Sequence, residues 1–251
     1  MPALMNTFLF VEPLQHYLEY GTRVMQEIVR TYRQPGQIIT ELVGDEANKE
    51  KIKQELQRLN PIFFFGCGHG NVDVWSAECT EVFMRVGDSE VELMKDRVVA
   101  LNSCLTAQEL GPAIIDAGAE TYVGSKEEFW FFVGDAPGTT RAVQSPFLAE
   151  YQLDASILQG KSTGDARQDQ MRKYDEEINY WTFGEGKDHP SSLELSRILG
   201  INKGISVFLG QSGIAPSSPQ ILMAGPSSLL WIAEFLILAA LAYQELKRKS
   251  Y

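Results

Sequence analysis

Two short runs carry the residues best suited to chemistry. In "FFFGCGHGN" His69 stands between Gly68 and Gly70 after an apolar run, and in "VVALNSCLT" Cys104 closes a second one. The two lie 35 residues apart (104 minus 69). A thiol attacks only as thiolate, so it needs a base within hydrogen-bond reach and a rigid mount. An imidazole and a thiol at the ends of neighbouring strands would meet both conditions. Gly68 and Gly70 would let a substrate backbone come close, and a backbone N–H after the histidine could help hold a developing oxyanion.

Other readings of the same residues are weaker. Cys67, His69, Cys79 and Cys104 could together supply four zinc ligands, but none forms a paired C-x-x-C knuckle. "GCGHGN" begins like a dinucleotide loop at Gly66 and Gly68 and fails where Asn71 stands. Cys67 is expected in the core and Cys79 on a helix face. His16 and His189 read as incidental, the "DEEI" run at 175–178 as a solvated helix face, and Trp181 and Phe183 as core.

Elements that could position the pair follow from hydrophobic periodicity. "TFLFV" (7–11), "GQIITELVG", "PIFFFGC", "DRVVALNSC" and "ETYVGS" read as five strands in order. Helical patterns separate them: Leu14, Tyr17, Val24, Ile28 and Val29 on the first, and Ala47, Ile52, Leu56 and Leu59 on a polar second that Asn60 and Pro61 stop. "LTAQELGPAIIDAGA" reads as a short helix. Strands apolar throughout and separated by helices predict an α/β fold with a mostly parallel sheet covered on both faces. Ligands collect beyond the carboxyl ends of such strands, where strands three and four would bring His69 and Cys104. Beyond residue 133, "FLAEYQLDASILQG" and "GDARQDQMRKYDEEINYWTF" are expected helices, "GDAPGTTRAVQSP" and "GEGKDHPSS" loops, and "GISVFLG" a last strand at the sheet edge. Residues 1–226 read as one domain and 227–251 as an apolar C-terminal helix.

Composition narrows the function classes. The chain has 251 residues, 44% of them hydrophobic, which suits a globular protein with a substantial core. With 22 Lys and Arg against 33 Asp and Glu, the net charge of -11 disfavours a nucleic-acid partner. Three cysteines argue against a disulfide scaffold and for a reducing, cytoplasmic setting. The N-terminus lacks the charged lead of a signal peptide. The apolar run 229–243 contains Glu234 and is followed by Lys247, Arg248 and Lys249. It is shorter than the roughly 18 to 20 residues a membrane span needs, so it is expected to pack in the protein or at a homo-oligomer or partner interface, with a membrane anchor as the second reading.

A strand running into His-Gly, then an apolar strand running into a small residue and Cys, resembles the clan CD cysteine peptidases: caspases, legumain, separase, gingipains and the CHAT-type bacterial proteases. The helix, "GA" turn and strand ending in "GS" after Cys104 look most like the gingipain and CHAT branches. The resemblance covers residues 36–132 most closely. It implies a three-layer α/β/α sandwich of the caspase-hemoglobinase type and a cysteine endopeptidase acting on peptides or proteins through a thioester acyl-enzyme. His69 would be the general base, Cys104 the nucleophile, and the backbone N–H groups of Gly70 and Cys104 the oxyanion hole. The strand after the nucleophile would wall the specificity pocket from Ser125 to an apolar Trp130, with Glu127, Glu128 and Asp73 as candidate carboxylates for selecting a basic residue. Neither metal nor organic cofactor is implied. Loops 134–146 and 184–192 would be processing sites. The alternatives are a catalytically silent scaffold of the same fold and a thiol hydrolase acting on esters or small amides.

Overall fold

The computed structural model of the chain describes residues 4–15, 17–77, 81–133 and 140–216. Its contacts divide the chain into the compact units Met1–Ser217 and Ser218–Tyr251. The second unit lies outside the described residues, and with it the expected helix at 229–243; His16 and Cys79 also lie outside them. Among the described residues no helix is long and apolar enough to cross a membrane.

The first half alternates strand and helix: β1 (Leu4–Glu12), α1 (Leu18–Tyr32), β2 (Ile38–Val43), α2 (Lys49–Leu59) and β3 (Pro61–Cys67). A hairpin region follows, with β4 (His69–Asn71), β5 (Val74–Ser76) and β6 (Met84–Arg85). Then come β7 (Val98–Asn102), α3 (Leu110–Asp116) and β8 (Thr121–Ser125). Four helices, α4 (Arg141–Glu150), α5 (Gln152–Leu158), α6 (Thr163–Thr182) and α7 (Ser192–Ile205), lead into β9 (Ser206–Gly210). Six strands form one sheet in the order β2-β1-β3-β7-β8-β9. All its pairs are parallel except β8 with β9.

Side-chain alternation along β3 explains why the sheet sits inside. Phe63, Phe65 and Cys67 pack with Val24 and Ile28 of α1, Phe147 of α4 and Ile157 of α5. Phe64 points the other way, to Ile52 and Leu56 of α2, Ile114 of α3, and Trp75. Helices thus flank the mostly parallel sheet on both faces, an arrangement compatible with a three-layer sandwich. Burying each of these phenylalanines contributes about 1.5–3 kcal/mol relative to leaving it in water.

Boundaries have local causes. The Asn48 side chain accepts the Lys51 N–H at the start of α2, and Asn60 ends that helix in the left-handed region (φ 45) ahead of Pro61. The fourth and fifth strands read from the sequence are β7 and β8. The small sheet β4-β5-β6 and helix α7 go beyond the elements expected from periodicity.

Two side chains depart from expectation. Glu177, read as solvated, is fully buried; Ser145 Oγ donates to it at 2.8 Å, and Arg141 and Lys173 pair with it. A carboxylate compensated this way can stand on a core-facing side of α6. Phe183, read as core, is 77% exposed just past the end of α6, whereas Trp181 is buried.

Candidate functional site

β3 and β7 are parallel neighbours in the register Gly66↔Leu101 and Cys67↔Asn102, so they finish at one level. Past the end of β3 the Gly68 N–H still donates to the Asn102 carbonyl at 3.2 Å. The chain then leaves the sheet. His69 is the first residue of β4 and pairs across the hairpin with Ser76; it does not end β3 itself. Its side chain is exposed, while Cys104, two residues beyond β7, is half-buried.

The glycines around His69 make room for the protein's own chain. A Cβ at Gly66 would lie 2.5 Å from the Trp75 indole, and one at Gly68 2.3 Å from the Ser76 carbonyl oxygen. At Gly70 it would meet the Cys104 carbonyl oxygen at 2.4 Å and Thr106 Cγ2 at 2.6 Å. The glycine therefore lets the strand that bears His69 lie directly on the loop that bears Cys104. Gly70→Ala should destabilise the fold by about 1–3 kcal/mol, because a rigid backbone atom blocks the new methyl; denaturant unfolding would measure the loss, and an unchanged midpoint would contradict the packing.

The cysteine loop is fixed from several sides. Leu105 N–H donates to the Glu127 carbonyl at 3.1 Å and Ala107 N–H to that of Ser125 at 3.0 Å. Glu109 and Leu110 N–H groups both reach the Val72 carbonyl in the hairpin. Tyr122 Oη donates to Thr106 Oγ1 at 2.9 Å, and Ser103 Oγ lies 3.1 Å from that same oxygen. Leu105 itself is held at φ 64, a left-handed conformation unfavourable for a leucine and sustained by these contacts.

Between the loop and the segment after β8 lies an open cleft of about 450 Å³, lined by residues 70–71, 104–105 and 128–131. Burial pushes the Cys104 thiol above its ordinary range; the Phe129 N–H, donating to sulfur, opposes this, and the Glu128 charge adds to it. The resting group is therefore a neutral thiol. Alkylation of Cys104 by iodoacetamide should climb about tenfold per pH unit from 7 past the ordinary value of 9.0, since only the thiolate reacts. A plateau near pH 7 would contradict it. Cys67 does not compete: it is buried, and its thiol is pushed up to about 12.

The expected site residues separate into two groups. Gly70, Cys104, Glu128 and Trp130 line the cleft together, and Trp130 is 46% exposed there. His69 stands beside them in sequence, next to Gly70. Ser125 is buried within β8, Glu127 meets the cysteine loop through its carbonyl, and Asp73 pairs with Arg85 at 2.7 Å in the hairpin. Asn71, Leu105, Phe129 and Phe131 also line the cleft; the "FWFF" run offered a signal for the last two, whereas nothing local marked Leu105. Among the described residues no group of three or more His, Cys, Asp or Glu side chains could hold a metal ion. Neither the known family models nor the curated proteins searched match this chain.

Proposed function

We propose that the chain is a cysteine endopeptidase of the caspase-hemoglobinase type, with His69 as general base and Cys104 as nucleophile. The observation that carries this reading is the contact at Gly70, which seats the histidine strand on the cysteine loop at the carboxyl edge of a parallel sheet, beside an open cleft. A substrate chain lying in that cleft would present its scissile carbonyl to the sulfur. His69 takes the thiol proton as sulfur attacks, and backbone N–H groups of Gly70 and Cys104 receive the carbonyl oxygen's charge. Collapse breaks the C–N bond, His69 returns the proton to the leaving amine, and a thioester remains. Water, deprotonated by the same imidazole, then hydrolyses it.

The neutral resting thiol suits this sequence, in which the proton moves during attack. Glu128 at the cleft favours a basic side chain next to the scissile bond; Asp73, already paired with Arg85, contributes less. The same raised thiol also favours a second reading, a silent scaffold that keeps the fold without turnover. Peptidyl acyloxymethyl ketones bearing Arg, Lys, Asp, Asn or Leu distinguish the two. The peptidase reading expects the Arg and Lys probes to modify Cys104 fastest and His69→Ala to remove the labelling. Absence of labelling by every probe favours the scaffold.

A further inference from the structure

The cleft wall at residues 128–131 belongs to neither a helix nor a strand, so its backbone has no ladder to hold it. One side chain takes the place of a neighbouring strand. Asn202, in the last turn of α7 and 1% exposed, accepts the Trp130 N–H at Oδ1 (3.0 Å) and donates from Nδ2 to the Trp130 carbonyl (2.7 Å). Both backbone groups of a single residue are thus held by one amide. On either side of Trp130, Phe129 and Phe131 both pack on Phe147 of α4, with ring centroids 5.7 and 5.0 Å apart.

We infer that Asn202 is a positioning residue for the cleft, holding the backbone of Trp130 so that the indole walls the specificity pocket. The specificity part of this inference rests on the peptidase reading, and the clamp itself does not. An asparagine is suited to the task because it offers an acceptor and a donor on one planar group, matching a peptide's N–H and C=O. Aspartate has nearly the same shape but, when ionised, turns a second acceptor toward the Trp130 carbonyl. Protonated, it regains a donor.

Acrylamide quenching isolates Trp130 as the difference between the protein and its Trp130→Phe variant, and it requires no activity. Asn202→Ala should raise the Trp130 quenching constant about twofold or more; Asn202→Asp should do so while its carboxyl is ionised and reverse toward the parent value across an acid titration, burial moving that carboxyl above its ordinary range. The pH reversal separates a clamp from a general loss of packing, which acid would not repair. In parallel, both variants should lose at least about tenfold in labelling rate by the best peptidyl acyloxymethyl ketone, as expected for two hydrogen bonds lost, with the preference among Arg, Lys and Leu probes narrowed. Should Asn202→Ala fail to fold, the aspartate variant decides alone. Equal quenching in parent and variants overturns the clamp. Altered quenching with unchanged probe preference overturns its role in specificity. If the parent takes no probe at all, the peptidase reading fails and specificity with it, and the quenching result still decides the clamp.

Discussion

Replacing Cys104 with alanine should lower peptide turnover by about four to six orders of magnitude, the loss seen when a covalent nucleophile is deleted. Cys104 is the one thiol among the residues that line the cleft. His69→Ala should cost about 10² to 10⁴ if the imidazole acts as general base. Neither change should disturb the fold much, since Cys104 is half-buried and His69 exposed. Mass spectrometry of the probe-treated protein would locate the adduct: an adduct on Cys104 in the parent, absent from Cys104→Ala, is the expected result. An adduct that persists in the alanine variant would place the nucleophile elsewhere and overturn the assignment.

The second large effect is structural. Trp75→Ala should destabilise the protein by about 3–5 kcal/mol, the usual loss for deleting a large aromatic from a close-packed interior. The indole is fully buried, lies edge-on to Phe64 (5.9 Å) and Phe83 (5.7 Å), and fills the space that Gly66 and Gly68 leave open. Its Nε1–H has no hydrogen-bond partner, so the loss is one of packing. Against a total stability of about 5–15 kcal/mol this is a large share, and the void would lie beneath the strand that carries His69. Chemical denaturation at pH 7 measures it; a loss below about 1 kcal/mol would mean that the hairpin refills the space, against the packing inferred.

What could be read from residue order depended on distance along the chain. β3, β7 and β8 were legible because strands buried on both faces are apolar without interruption, as in "PIFFFGC" and "VVALN". β4 to β6 were not, because two or three residues show no period. α7 holds Gly200 and Gly204, which weaken any helical pattern, and its stability comes from packing Leu195 and Leu199 on Tyr174 and Trp181. The glycines at 66, 68 and 70 announced a close approach, but the approaching groups, Trp75, Ser76 and Cys104, are brought there by the tertiary fold. Glu177 looked solvated because its partner Arg141 lies 36 positions away, and Asn202 carried no signal because Trp130 lies 72 positions away.

That last separation affects when the site can exist. During synthesis the imidazole and the thiol emerge early, and β9, which borders β8, only after α7. A ribosome-bound chain that ends before residue 202 would carry the proposed reactive pair with an unclamped wall beside it. On the proposed peptidase reading, reactivity and selectivity would thus arise at different moments of synthesis, the second only once residue 202 has joined the fold.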